Sequence, residues 1–293
     1  MRRRTRGASG AVPGRFHHSV ARWVFLAGYF LFLLVPLYWA IVTAFKPQDD
    51  LLAQPPVWFP AHPTLSHFDQ ALNRLNGLAA LENSIIVAFA TTVLAVLVGT
   101  AAAYSMARHA TGGKHLAFWF LSGRMLPPVA VVIPMFLLYS QYSKEWIGLR
   151  PIDTRWGLIV LYTVFALPWT VWMMYSYFRQ MPPELEHAAL VDGCTRWQAL
   201  WKIAVPLAAP GLVSAAAFAF IFSWTEFLFA LVLTTKNAVT LPVVLAGYIG
   251  LFQGNLWGET AAMTLISLIP ALLLGIFLQR HLVRGLTVGA VQG

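Results

Sequence analysis

An all-α, polytopic integral membrane protein is the fold class this sequence predicts, and three observations predict it. Only 11% of the 293 residues are charged and 58% are hydrophobic, whereas a soluble domain carries about 25% charged residues. Mean hydropathy is +0.66, so there is too little polar surface to coat a water-soluble globule. Six apolar segments, 23–45, 84–107, 116–141, 156–178, 207–233 and 260–280, are each long enough to span, since about 20 helical residues cross a hydrocarbon core. The predicted organisation is a basic tail (1–22), one six-span unit (23–283) and a C-terminal tail (284–293), with no room for a sizeable soluble domain.

The N-terminal run follows an Arg-rich start, but to Phe45 it is longer than the 7–15 residues of a signal-peptide core, so it reads as an uncleaved first span. Residues 46–83, rich in Pro and aromatics (Pro55, Pro56, Trp58, Phe59, Pro60), read as an ordered cap on the membrane surface. Small residues in the second span (Gly99, Ala101, Ala102, Ala103) and the fifth (Ser214 to Ala217, Ala219) permit close helix–helix approach. Pro127-Pro128 in the third span and Pro168 in the fourth break helical hydrogen bonding, which lipid tolerates only where the freed groups face protein or a wet cavity.

Six spans put both termini on one side. Of the 20 Lys and Arg residues, 13 then share that side, and 6 (Lys46, Arg74, Lys144, Arg150, Arg155, Lys236) lie opposite, with Arg124 inside a span. The positive-inside rule therefore places both termini in the cytoplasm. The net charge of +9 serves orientation and attraction to anionic lipid, not nucleic acid. Cys194, the only cysteine, excludes an internal disulfide and a cysteine-based zinc site. No phosphate-binding GxxxxGK[ST] loop exists, Gly112-Gly113-Lys114 being a polar turn, and no HExxH, GxSxG or CxxC is present. His62 and His67 read as exposed loop histidines, and Glu259 as a membrane-interface residue. Arg124 and Glu226 are the charges buried within spans, each a functional candidate because leaving it in lipid costs several kcal/mol.

Segment 181–206 differs from its surroundings. Pro182-Pro183 can open a helix, Glu184 and Glu186 suit its positive end, and Asp192-Gly193 stops it. Thr195 followed by Gln198 reads as a capping box starting a second helix, with Trp197, Leu200 and Trp201 on its apolar face and Pro206 marking the return to the membrane. Two short helices joined by a tight turn make a small knob, and Ala188 and Ala189 let a partner approach closely.

This segment resembles the cytoplasmic motif of the membrane subunits of ATP-binding-cassette importers: Glu-Ala-Ala, three residues, Gly, nine residues, Ile-x-Leu-Pro. Here it reads His187-Ala188-Ala189, then Gly193, then Ile203-Ala204-Val205-Pro206, with matching spacing. His187 stands for the usual Glu and Val205 for Leu, and Glu186, one residue early, is a substitute carboxylate. Residues Trp224 to Leu231 are similar to the WNEFLFAL run of the second permease of maltose-type systems, with Thr225 for Asn, and residues Gln279 to Gly293 resemble that subunit's QRxLVxGLTxGAVKG ending.

The resemblance implies a non-catalytic, multi-pass subunit of a bacterial inner membrane importer for a sugar or sugar-like solute. It implies a homologous second permease, two copies of a cytoplasmic ATPase that bind ATP and Mg, and an extracytoplasmic sugar-binding protein. This chain itself is expected to bind no cofactor or metal. The knob between spans 4 and 5 becomes a coupling helix, with Glu186, His187, Ala188, Ala189, Asp192, Gly193, Ile203 and Pro206 as ATPase-coupling candidates. Arg124, Trp224, Thr225 and Glu226 become candidates for the translocation path. The competing reading is an ion-coupled secondary transporter, which needs several intramembrane carboxylates where one, Glu226, is clear.

Overall fold

The computed structural model describes residues 14–123, 125, 127–143, 145, 148–249 and 256–290. Among these the protein is helical. In order the helices are α1 (Gly14–Phe45), α2 (Ser66–Asp69), α3 (Gly77–His109), α4 (Gly113–Gly123), α5 (Pro128–Tyr142) and α6 (Arg155–Gln180). They continue with α7 (Glu184–Val191), α8 (Arg196–Leu207), α9 (Ala209–Thr225), α10 (Leu228–Leu233), α11 (Leu241–Tyr248) and α12 (Trp257–Ala290). Arg124, residues 1–13 and 291–293 lie outside the described residues, as do the side chains of 280–290.

Four helical stretches are long and apolar enough to cross a membrane: Arg22–Phe45, Gly77–His109, Arg155–Gln180 and Trp257–Phe277. The third predicted span is interrupted at Pro127-Pro128, as its prolines suggest, and the fifth is interrupted as well. Residues 116–141 divide into α4 and α5 because Pro127 is held extended (φ −69°, ψ 128°) before Pro128, as the residue preceding a proline must be. Residues 207–233 bend by 82° between α8 and α9 and break again at Glu226, whose ψ of 128° ends α9 before α10 begins. Counting the bent pair α8–α9 as one span gives five.

The centre of the fold is α3, α6 and α9. Gly99 of α3 brings the two long helices together: a Cβ there would sit 2.7 Å from Thr170 Cγ2 of α6. Gly211 does the same for α9, where a Cβ would meet the Tyr177 ring at 2.4 Å. Ala95, Ala166 and Ala219 interlock where the three helices meet. The small-residue stripes expected in the second and fifth spans therefore do serve close packing. At one end Tyr104, Met174, Phe178 and Leu200 form a core joining α3, α6 and α8; towards the other, Leu158, Tyr162, Phe229 and Leu233 join α6 to α10. α1 packs along α12 and leaves Phe25, Leu31 and Phe32 exposed, which suits a helix facing lipid.

Replacing Gly211 by Val should lower the thermal unfolding midpoint of the detergent-solubilised protein, overpacking of this kind costing about 1–3 kcal/mol. Gly28→Ala, where nothing lies within 4 Å, should be neutral or slightly stabilising, alanine being the better helix former.

Candidate functional site

The knob is built by local rules. α7 starts behind Pro183 and ends in a left-handed Gly193 (φ +88°). The Cys194 N–H reaches Ala189 O at 2.9 Å and the Gly193 N–H reaches Leu190 O at 3.1 Å, the paired bonds of a Schellman stop. The next helix opens on the expected capping box: Gln198 N donates to Thr195 Oγ1 (3.2 Å), and Thr195 N donates to Gln198 Oε1 (2.9 Å). α8 then passes through a π-helical turn, Leu200–Ala204, before the bend at Ala208.

What fixes the knob to the membrane helices is Glu186. It is 5% exposed, accepts a hydrogen bond from the Tyr104 hydroxyl at 2.7 Å, and pairs with Arg108 Nε at 2.7 Å. Arg108 also donates from Nη2 to Met181 O at 3.0 Å. The last two turns of α3 thus hold both ends of the link between α6 and α7. Of the carboxylates expected at the positive end of α7, only Glu184 is exposed. Tyr104 and Arg108 escape sequence reasoning; Arg108 is visible there only as a charge flanking a span.

The other candidates separate by direction. His187, Ala188, Asp192, Gly193 and Pro206 are exposed, and Ile203 is half-buried. Ala189 is buried, so its small side chain serves packing within this chain, a correction to the reading that both alanines meet a partner.

At the α9–α10 break, Glu226 accepts hydrogen bonds from Phe229 N (2.9 Å), Ala230 N (3.2 Å) and the Tyr162 hydroxyl. It caps α10 and ties it to α6. Trp224 turns into the subunit: its Nε1 donates to Ser267 O of α12 at 3.2 Å and its ring stacks on Phe220. Thr225 is exposed and lies on the α9 face that also carries Phe218, Ile221 and Phe222, which with Ala166 and Trp169 line a cavity of about 210 Å³.

Two clusters lock the opposite end of the molecule. His67 and Glu259 are both buried, correcting the expectation of an exposed loop histidine and an interfacial carboxylate. His67 Nδ1 lies 3.0 Å from Glu259 Oε1, and Nε2 lies 2.9 Å from Lys46 O. The partner of Nε2 is a carbonyl, so that nitrogen carries a proton. Lys46 is itself buried over the Trp39 ring; burial pushes its ammonium pKa down, and nearby Asp50 opposes the shift. In the second cluster Asp153 Oδ1 accepts from the N–H groups of Thr235, Lys236, Asn237 and Ala238. Burial would raise this carboxyl, but the four backbone donors outweigh it and bring the pKa down to about 2. Asn83 joins the same cluster, donating to Asn237 O and Val239 O and accepting from Arg155 Nε. Among the described residues, no three His, Cys, Asp or Glu side chains could hold a metal ion together.

With this geometry, residues 95–288 match a family model described as binding-protein-dependent transport system inner membrane component. The chain is 35% identical to the diacetylchitobiose uptake system permease protein of Streptomyces coelicolor over 90% of its own length and 94% of that protein's. It is 39% identical to the trehalose transport system permease protein of Mycobacterium tuberculosis, over 89% and 93% of the two chains. A solved structure of a bacterial ABC transporter involved in import of the acidic polysaccharide alginate includes a chain with the same fold. The TM-score is 0.77 at 20% identity, covering 93% of this chain and 99% of that one.

Two outcomes follow from the polar clusters. Arg108→Ala should destabilise the knob by about 3–5 kcal/mol by stranding a buried carboxylate, seen as faster proteolysis between α6 and α9; adding Glu186→Gln should recover part of the loss. Asp153 has its folded pKa below the ordinary 3.8, so its contribution is full above pH 4 and lost as pH falls towards 2. Asp153→Asn should therefore flatten the fall in unfolding midpoint over that window, measured by acid titration in detergent.

Proposed function

The chain belongs to the family of inner membrane components of binding-protein-dependent transport systems, and from that premise we propose that it is the permease subunit through which an ATP-binding-cassette importer moves a sugar or sugar-like solute into the cell. It acts without catalysing a reaction: ATP and Mg reside on a separate cytoplasmic ATPase, present in two copies. A homologous second permease completes the path, and an extracytoplasmic sugar-binding protein delivers the solute. Both termini lie in the cytoplasm.

The observation that carries this reading is the knob. Its exposed edge, His187, Ala188, Asp192 and Gly193, is the surface offered to a cleft of the ATPase. Its inner edge is fixed to α3 through Glu186, and Ala189 beside it is buried within the chain. Ile203 and Pro206 lie on α8, which leads from the knob into the bend before α9. A push on the exposed edge therefore passes to α3 through an ion pair and to α9 through α8, instead of being absorbed by a slack loop. Along the path, Thr225 is the candidate that faces outward, while Trp224 and Glu226 hold the break that sets its height. Three hydrogen-bond donors on Glu226 suit a structural cap better than the mobile proton or ion site that an ion-coupled transporter requires.

The test is ATPase activity of the assembled complex in lipid, with and without the loaded sugar-binding protein. Gly193 is held at a left-handed φ of +88° that strains any side chain, so the probe is Ala188→Trp, on the exposed edge of α7. Membrane insertion should be unchanged and stimulation should fall by about ten-fold or more, as expected when a bulky group blocks an interface centre. Full stimulation in the variant would make the knob a mere connector.

A further inference from the structure

A cavity of about 220 Å³ lies beneath the knob, between the end of α3 and the helices α7 and α8. Its wall carries two guanidinium groups, Arg108 and Arg196, and two imidazoles, His109 and His187, against one carboxylate, Glu186. That carboxylate is already committed: one oxygen to the Tyr104 hydroxyl, the other to Arg108 Nε. Arg196 has no ion pair among the described residues. The cavity is thus a cationic pocket that no free carboxylate among the described residues lines.

Its position points to the occupant. The apolar run of α3 closes at Ala107 and the cavity's Arg108 and His109 follow it directly, where basic residues that flank a spanning segment meet headgroups. Trp197 and Trp201 on the adjoining α8 pack edge to face with Trp197 63% exposed, and tryptophan concentrates at that level. Beside the end of α3, α4 packs Leu116 and Phe120 inward against the core and leaves Phe118 and Trp119 exposed. That leaves apolar surface on which acyl chains can lie. Basic pockets on the cytoplasmic side between spanning helices bind anionic headgroups.

We propose that this cavity binds the phosphate of an anionic phospholipid headgroup, with Arg196 and His109 as its principal contacts. The lipid then wedges the knob against the membrane and stiffens the link between α3 and α7. This rests on the orientation proposed above, with the knob on the cytoplasmic side, and the cavity shares His187 with the edge offered to the ATPase; it does not need that edge to dock, so failure of coupling alone would leave it standing.

The experiment is native mass spectrometry of the whole complex, ATPase included, after equilibration with vesicles of equal phosphatidylglycerol and phosphatidylcholine. The wild type should retain phosphatidylglycerol preferentially. Arg196→Gln should retain it about five-fold less, the worth of one cation beside an anionic surface; His109→Gln should weaken it independently, and Arg196→Lys should restore most of the binding. Equal retention by wild type and Arg196→Gln would overturn the proposal. So would phosphatidylglycerol bound only when the ATPase is absent, because the pocket then receives an acidic segment of that protein. Stabilisation of a phosphatidylcholine-only complex by inorganic phosphate, lost in Arg196→Gln, would also overturn it by making the site one for a free anion.

Discussion

The ion pair between Glu186 and Arg108 is the constraint on which the functional architecture depends. The knob is short, polar and bounded by prolines, and by itself it would be a loop resting on headgroups. Burying Glu186 against the Tyr104 hydroxyl and the Arg108 guanidinium makes it an extension of a membrane helix. Such a pair is weak evidence for stability, since desolvation offsets much of the attraction. Its value is geometric: a buried charge has one place to go, so the knob has one orientation relative to α3. The tight Gly99 contact between α3 and α6 and the Gly211 contact between α6 and α9 then make the three central helices respond to that orientation together.

The polar clusters also sort the chain by side. Lys46, His67 and Glu259 meet at one end, and so do Asn83, Asp153 and Asn237; Arg108, Met181 and Glu186 meet at the other. Those groupings bring together the loops that carry Lys46 and Arg155 at one end and the end of α3 at Arg108 with the knob at the other. Each cluster bridges segments far apart in sequence, so each closes a long loop that apolar packing against lipid cannot specify, there being no hydrophobic drive between helices in a bilayer.

Much of the fold is legible in the residues themselves because it is local. The Asp192-Gly193 stop and the Thr195–Gln198 box depend on near neighbours, and both form as expected. The long apolar helices depend on composition alone. The breaks were less legible. Pro127-Pro128 can be seen, yet hydropathy runs through it; Glu226 sits in so apolar a run that its role as the cap of α10, not a charge within a continuous helix, emerges only from its partners. Arg108 and Glu186 are 78 residues apart and His67 and Glu259 are 192 apart, separations across which no spacing rule operates. Ala189 shows a subtler limit: smallness in a motif signals close approach, but not whether the neighbour is another protein or this one.

The central claim is that knob and α3 move as one body. Its most direct test is the distance between spin labels at Val191→Cys on the knob and Leu97→Cys on α3, both exposed positions, in a Cys194→Ser background and within the assembled transporter. The account predicts a single narrow distance, unchanged by nucleotide or by the loaded binding protein. A distance that shifts with ATP while ATPase stimulation stays intact would contradict it, because the knob would then be moving against the helix that is supposed to carry its motion.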